Sequence, residues 1–137
     1  MSELTKKQAH LAHMVFAAPA PKRLGIEPVS IEKDTVSARL PYNTANCTLG
    51  EVMHGGAIAT LVDVVGVAAA IFGLPHVPST GGTATLTINY LAPAMGCDLT
   101  AKATILKGGR RQCVSRVSVV SPKGKLVAEA HVTVVFA

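Results

Sequence analysis

The sequence is poor in aromatic and charged side chains and contains no tryptophan. Aromatic residues make up 4% of the chain, so platforms on which nucleic-acid bases could stack are scarce. Charged residues make up 15%, and the basic ones are scattered except between residues 107 and 111. The net charge of +5 and the pI near 9.4 still favour an anionic partner. A phosphate-bearing small molecule fits this composition better than nucleic acid.

The sequence also lacks an apolar run long enough to span a membrane, and it lacks a pair of closely spaced cysteines. The longest apolar run, residues 57–72, is shorter than the roughly 20 residues that cross a bilayer, and it contains Asp63. We therefore expect a buried helix and no membrane partner. No long apolar segment follows the first positive charges, which argues against a secretory signal and for a cytoplasmic location. The three cysteines form no CxxC pair and are expected to stay reduced, as core residues.

Apolar residues are abundant for a chain of this length. The 137 residues suffice for one domain with one core. Hydrophobic residues nevertheless reach 49%, and the mean hydropathy is +0.39. This excess over the needs of a single small core predicts an oligomer with an apolar interface.

The pattern along the chain predicts an N-terminal arm followed by an α+β domain. In residues 1–22, Ser2 can cap a short helix, and the proline-containing segment 17–21 then ends it. Residues 23–137 open with strands at 26–31 and 35–40, continue with a helix at 57–72, and close with strands at 83–91, 98–106, 112–120 and 126–136. The economical packing is one antiparallel sheet wrapped around the long helix.

Asp63 is the only Asp, Glu, Lys or Arg between Glu51 and Asp98. It lies among Leu61, Val62 and two following valines, where a carboxylate is costly unless the structure uses it. Desolvation would strengthen it as a base or nucleophile. The alternative is a buried Asp bonded to backbone donors or to a partner helix.

A glycine pair stands directly before this helix. Gly55 and Gly56 offer backbone N–H groups at the positive end of the helix dipole, and glycine lets a substrate approach closely. Such a site suits a developing oxyanion, although a plain glycine turn is the alternative. His54 can hydrogen-bond a carbonyl or orient the loop, and its spacing from Asp63 lets both residues face one cleft.

The segment from Gly50 to Asp63 resembles the HGG-x6-D signature of hotdog-fold acyl-CoA thioesterases of the phenylacetate-pathway type, within the thioesterase superfamily. The segment from Thr83 to Ala94 is similar to the strand of that family that ends in Tyr-x-x-Pro-Ala. The resemblance covers roughly residues 24–136. It implies a hotdog fold and a homodimer or homotetramer with active sites at the subunit interface.

The resemblance also implies roles for individual residues. Asp63 acts as nucleophile or as general base on water, the Gly55 N–H polarises the thioester carbonyl, and His54 helps to place it. Thr83 stands where some members use a hydroxyl to hold the attacking water. The family often has an Asn six residues before the His. Here that position is Thr48, and Asn46 lies eight residues before, so the role of Asn46 stays open.

The basic turn at residues 107–111 is a second candidate site. Arginine and lysine recognise phosphate, and glycines let the chain approach it, so this turn could bind the phosphates of coenzyme A. A solvated hairpin tip is an equally good interpretation. The candidate substrate-binding residues of this turn are Lys107, Gly109, Arg110 and Arg111. Gly56, at the start of the helix, is a further candidate.

No metal site is expected. His10 and His13 are spaced for a shared helix face but lack a third ligand. The sequence therefore predicts hydrolysis of an acyl-CoA thioester to acid and CoA, with no cofactor because CoA is part of the substrate. The alternative is a non-catalytic acyl-CoA binding or regulatory hotdog module. A hotdog dehydratase is disfavoured because the His and Glu spacing expected of one is absent.

Overall fold

A computed structural model describes all residues, 1–137, and contains a single antiparallel sheet wrapped around one long helix. The arrangement is the one predicted. The helices are α1 (Glu3–Phe16), α2 (Pro19–Leu24) and α3 (Gly55–Ile71), and the strands are β1 (Glu27–Ile31), β2 (Val36–Leu40), β3 (Gly81–Tyr90), β4 (Leu99–Lys107), β5 (Gln112–Val120) and β6 (Leu126–Phe136). No helix is long and apolar enough to span a membrane.

The N-terminal segment is more helical than predicted. Ser2 accepts a hydrogen bond from the Thr5 N–H and caps α1, as expected. The segment 17–21 does not remain irregular, because Pro19 occupies the first position of α2, where its missing N–H costs nothing. Gly25 then ends α2 in the left-handed conformation, at φ 77°.

The long helix α3 runs across the concave face of the sheet. Its sheet-facing side chains, among them Leu61, Val62 and Val65, are fully buried. Close packing requires glycine at position 66, because a Cβ there would come within 2.6 Å of the Val132 side chain on β6. Helix and sheet thus approach each other closely at mid-helix, which fixes the height of α3 above the sheet.

The sheet order is β1-β2-β4-β5-β6-β3, with every pair antiparallel. Strand β3 follows α3 in sequence and takes the edge beyond β6, so one of its sides has no strand partner. Nearly all its residues are exposed, including Leu86 and Tyr90. A ten-residue edge strand that carries apolar side chains is a surface on which another strand can pair.

Helix α1 packs on the C-terminal half of α3. Ala12 and Phe16 are buried in this contact. The Gln8 amide, 1% exposed, donates hydrogen bonds to the carbonyl oxygens of Ile71 and Leu74, at 3.0 and 2.9 Å. The Leu74 carbonyl has no other donor, and the Ile71 carbonyl otherwise accepts only the Leu74 N–H at 3.4 Å. Gln8 therefore holds α1 against the end of α3 and satisfies polar groups there.

Candidate active site

His54 is the N-cap of α3. Its Nδ1 accepts a hydrogen bond from the Gly56 N–H at 2.8 Å. The neutral ring therefore carries its proton on Nε2, an assignment that follows from the hydrogen-bond network, and Nε2–H is left free to donate. A Cβ on Gly56 would come within 2.9 Å of the ring, so glycine at this position makes room for the cap.

The Gly55 N–H is the free donor at the start of α3. The Gly56 N–H bonds to the His54 ring and the Ala57 N–H to the His54 carbonyl, whereas the Gly55 N–H has no acceptor within the chain. It lies at the positive end of the helix dipole, where an oxyanion is stabilised. Of the two glycines, only Gly55 can offer its N–H to a substrate in this arrangement.

Asn46 lies next to His54 although eight residues separate them. It ends a short 3₁₀ turn, Thr44–Asn46, and its carbonyl accepts the His54 N–H at 2.8 Å. Its side-chain amide donates to the Leu24 carbonyl at 3.2 Å. Asn46, His54 and Gly56 line one cavity of about 340 Å³ together with Cys47 and Thr60.

Asp63 is half-buried, not fully buried as its apolar neighbours suggest. The outer stripe of α3 that includes Gly56, Thr60, Asp63 and Val67 faces away from the sheet and is partly exposed. No ion pair involves Asp63. Its Oδ1 accepts a hydrogen bond from the Thr83 hydroxyl at 2.5 Å. The carboxylate is thus accessible, without a neutralising cation, and oriented by one hydroxyl.

A β-bulge in β3 aims Thr83 at Asp63. The pairing of β3 with β6 shifts register between Thr83 and Thr85. Thr83 and Tyr90 are seven residues apart, an odd spacing that puts side chains on opposite faces of a regular strand. Here both reach α3, because Tyr90 donates to the Gly55 carbonyl at 2.8 Å. The extra residue in the bulge switches the face between them.

Tyr90 is a site residue that sequence reasoning placed only in the Tyr-x-x-Pro-Ala pattern. Its hydroxyl ties the end of β3 to the first residue of α3, and partial burial raises the pKa of the phenol. The sequence signal that could have identified Tyr90 was the position of the Tyr-x-x-Pro-Ala pattern after the helix. The contact itself depends on β3 lying beside α3 at the edge of the sheet.

Gly55 and Asp63 do not meet within one chain. Eight residues of helix separate them, which at about 1.5 Å per residue is roughly 12 Å along the axis. His54 and Asp63 were expected to face one cleft, but the cavity at His54 is lined by residues that do not include Asp63. A thioester carbonyl in contact with the Gly55 N–H is therefore out of reach of the Asp63 of the same chain.

The basic turn lies at the other end of the molecule from His54. Arg110 and Arg111 line a cavity of about 510 Å³ with His76 and Phe136, and the His76 Nε2 lies 3.0 Å from the Arg110 carbonyl. Lys107 is exposed at the end of β4. Gly109 is in a tight part of the turn, since a Cβ there would come within 2.7 Å of the Gln112 carbonyl oxygen.

The cysteines differ from one another. Cys113 is buried, and burial raises the pKa of its thiol, as suits a core residue. Cys47 and Cys97 are only partly buried, so the expected core placement holds fully for one of the three. No three His, Cys, Asp or Glu side chains come together in a way that could hold a metal ion.

Comparison with known proteins shows the family to which the chain belongs. The thioesterase superfamily model matches residues 50–128, which include α3, β3 and the Asp63–Thr83 pair. A relative from Halobacterium salinarum, named only as an esterase, is 36% identical over 110 residues covering 77% of this chain and 72% of its own. The medium/long-chain acyl-CoA thioesterase YigI of Salmonella typhimurium is 28% identical, over 87% of this chain and 86% of YigI.

A solved structure supports the fold. The PaaI protein from the phenylacetic acid degradation operon of Escherichia coli superposes with a TM-score of 0.85 at 23% identity, covering 98% of this chain and 96% of its own. At that identity the likeness speaks for the fold alone. It confirms the hotdog architecture predicted from the HGG-x6-D segment.

Proposed function

The chain belongs to the thioesterase superfamily and is a thioester hydrolase, and on this premise we propose that it hydrolyses acyl-CoA thioesters to free acid and CoA, using Asp63 and the Gly55 N–H. The observation that carries the proposal is the Asp63 carboxylate, accessible, without an ion-pair partner and held by the Thr83 hydroxyl. A protein that only bound acyl-CoA would gain nothing from keeping such a charge half-buried.

Two copies of the chain form each active site in this proposal. The separation of roughly 12 Å along the helix between Gly55 and Asp63 rules out joint action within one copy on one carbonyl. Tyr90 at the end of β3 contacts Gly55, and Thr83 at its start contacts Asp63. A strand that pairs with its own copy about a two-fold axis runs antiparallel. Pairing through the free edge of β3 therefore sets the Asp63 of one copy beside the Gly55 of the other.

The exposed side chains of β3 support this dimer. Leu86 and Tyr90 are exposed in the single chain, as is the adjoining Leu91. Burying them against a second copy removes apolar surface from water and pairs the free edge. A homodimer, or a homotetramer made of two such dimers, is the assembly that we propose.

In the reaction, the carbonyl oxygen accepts the Gly55 N–H, which stabilises the negative charge that develops there. Asp63 either takes a proton from a water that attacks the carbonyl carbon, or attacks that carbon itself to form an anhydride that water then hydrolyses. In both routes the C–S bond breaks, the sulfur leaves as the thiolate of CoA, and the thiolate takes up one proton. Thr83 orients the carboxylate in either case.

His54 and Asn46 have positioning roles in the proposal. The His54 ring fixes the start of α3 through Gly56 and presents Nε2–H to the cavity, where a thioester carbonyl or a water can accept it. The Asn46 carbonyl holds the His54 backbone, and its side chain is engaged with Leu24. We assign Asn46 to the support of His54 and not to contact with the attacking water.

The basic turn serves the CoA end of the substrate. Arg110 and Arg111 line a cavity, and Lys107 is exposed nearby, where phosphates can bind without burying an unpaired charge. The backbone carbonyl of Arg111 accepts the Phe136 N–H, and Phe136 pairs with Gly81 at the start of β3. In the antiparallel dimer the start of β3 lies opposite the end of β3 in the second copy. The basic turn next to that start therefore faces the Gly55 of the second copy. Gly109 shapes the turn.

A cytoplasmic location is part of the proposal. The three cysteines are free thiols, as is common where the surroundings are reducing.

The test of the function is thiol release from a panel of acyl-CoAs by the wild type and by Asp63→Asn. Turnover that falls at least about 100-fold in the variant supports the proposed role of Asp63. Binding of acyl-CoA without turnover by the wild type would instead identify a non-catalytic binding module.

A further inference from the structure

The net positive charge of the chain is concentrated in two places. Residues 1–25 contain four lysines or arginines and one acidic residue, and the basic turn at residues 107–111 contains three basic residues and no acidic one. The rest of the chain contains six basic and seven acidic residues, so it is close to neutral. The proposed function uses the basic turn for CoA, but it gives no task to the charge on the two N-terminal helices.

These N-terminal charges form one surface, which we call the basic face. It consists of exposed residues of α1 and α2, namely Lys6, Lys7, His10, His13, Lys22 and Arg23. The members on α1 follow helical spacing on the side opposite Gln8, Ala12 and Phe16, which are buried. His13 and Lys22 line one cavity of about 330 Å³, so the two helices contribute to a continuous surface.

The charges of the basic face are not neutralised within the chain. Its four lysines and arginines form no ion pair. Glu3 on α1 is likewise unpaired, and Glu27, which lines the same cavity as Lys22, is paired with Arg39 at 3.1 Å. Unpaired charges of one sign on one side of a molecule repel each other, and an anionic partner relieves that repulsion.

In the proposed dimer the two basic faces lie on the same side. Two copies of β3 that pair antiparallel are related by a two-fold axis perpendicular to the sheet. Such an axis keeps each face of the sheet on its own side, so α3 and the α1 that Gln8 anchors to it lie on one side in both copies. The dimer, on which this step rests, therefore presents eight lysines and arginines of the basic face on one side.

A bilayer with anionic lipids fits this surface better than an acidic protein does. Protein interfaces depend on large apolar or aromatic anchors near their centre. Among residues 1–25 only Met1 and Met14 are large, apolar and exposed, and they lie at opposite ends of α1. Adsorption to an anionic bilayer needs charge alone, and each lysine or arginine near the bilayer surface strengthens it by about fivefold.

We propose that the basic face docks the protein on the surface of membranes that contain anionic lipids. The lack of a membrane-spanning segment does not bear on such a contact, which is made by charges at the surface. Two basic faces repel each other, so a contact between two dimers through this side is disfavoured and the face stays open. Docking holds the enzyme at the surface where molecules with apolar acyl groups gather.

The test is sedimentation of the protein with vesicles of phosphatidylcholine and phosphatidylglycerol, and with vesicles of phosphatidylcholine alone. The wild type should bind the first and not the second, and salt should weaken the binding steeply. Lys6→Glu combined with Lys7→Glu should lower the partition coefficient at least about 25-fold. Glutamate is favoured near the start of a helix, so α1 should be retained in this variant.

The matched control reverses two charges elsewhere. Lys123→Glu combined with Lys125→Glu changes the net charge equally, in the exposed turn between β5 and β6, at the opposite end of β5 from the basic turn. Charges far from the contact are screened, so this control should lower the partition coefficient by no more than about threefold.

Two results would overturn the inference. The first is an equal loss of vesicle binding in both double variants, which would show that net charge matters and the basic face does not. The second is a wild type that does not bind anionic vesicles. If that wild type bound polyglutamate instead, and the Lys6 and Lys7 variant did not, the basic face would serve an acidic protein.

Failure of the inference is distinct from failure of the proposed function. Vesicle binding is measured without substrate, and acyl-CoA hydrolysis is measured without vesicles, where the Lys6 and Lys7 variant should match the wild type. Native mass spectrometry gives the oligomeric state separately. A monomeric protein would refute the proposed dimer, whereas a selective loss of vesicle binding in the Lys6 and Lys7 variant would still support the basic face.

Discussion

Replacing Asp63 by asparagine removes the negative charge of the side chain while keeping its shape. The asparagine side chain has the same size, and its Oδ1 can still accept the Thr83 hydroxyl that now lies 2.5 Å from Asp63. No ion pair is lost, because Asp63 has none. We therefore expect the fold and the melting temperature to be retained, or raised slightly, since a half-buried charge is removed.

The rate should respond very differently from the stability. Loss of a general base or nucleophile lowers kcat by a factor on the order of 100 or more, which corresponds to about 2.7 kcal/mol of transition-state stabilisation. KM should change little, because the Gly55 N–H and the basic turn are untouched. The assay is thiol release under substrate saturation, with binding of acyl-CoA measured separately by calorimetry.

Thr83→Val is the companion variant. It removes the hydroxyl that orients the carboxylate but keeps the carboxylate, so kcat should fall by about tenfold or less, the equivalent of one hydrogen bond. If Asp63→Asn kept kcat within about threefold of the wild type, or if Thr83→Val were the more damaging of the two, the reasoning about this pair would be refuted.

Three further variants test the supporting structure. Tyr90→Phe removes the 2.8 Å hydrogen bond to the Gly55 carbonyl and should lower kcat several-fold at unchanged far-UV circular dichroism. Gln8→Ala removes both of these hydrogen bonds, leaves the Leu74 carbonyl without a donor and should cost about 1–3 kcal/mol, a fall in melting temperature of several degrees that the exposed Lys7→Ala should not reproduce. Burial alone would raise the pKa of Glu129, but hydrogen bonds from Arg116 and Ser118 bring it below the ordinary value of 4.5. This contribution to stability is complete above about pH 4.5 and is lost as the pH falls through the lower pKa of the folded state, so urea unfolding of Glu129→Gln should depend less on pH in that range.

Much of the fold was predictable because its signals are local. The turns between β4, β5 and β6 carry Gly and Pro, and Ser2 caps α1 as its position predicts. The start of α3 was placed two residues late, because His54 caps it through a ring nitrogen, which the usual capping residues do not suggest.

The sequence supplies candidate site residues but not the distances between them. The motif drew attention to Asp63, Gly55 and His54, and the pairing of Thr83 with Asp63 brings two of the candidates together. The separation of Gly55 from Asp63 follows from helix geometry, whereas the bulge that turns Thr83 toward α3 is a property of strand pairing that no local pattern encodes. The contacts of Gln8 and Tyr90 depend on tertiary packing in the same way.

Gly55→Pro is the variant that completes the central test. It deletes the free N–H at the first helical position, where proline is tolerated, and the extended His54, at ψ 134°, is compatible with a following proline. Loss of one oxyanion donor should lower kcat by about 100- to 1,000-fold. The variant is thus expected to be folded and nearly inactive, as is Asp63→Asn, but for a different reason.

The measurement that tests the account most directly is the activity of Gly55→Pro mixed with Asp63→Asn, after unfolding and refolding together. If each site combines the Asp63 of one copy with the Gly55 of the other, half of the dimers are mixed and each of these has one intact site, so about a quarter of the wild-type activity should return. Activity that stays at the level of the separate variants, in a mixture shown by native mass spectrometry to contain mixed dimers, would contradict the shared site.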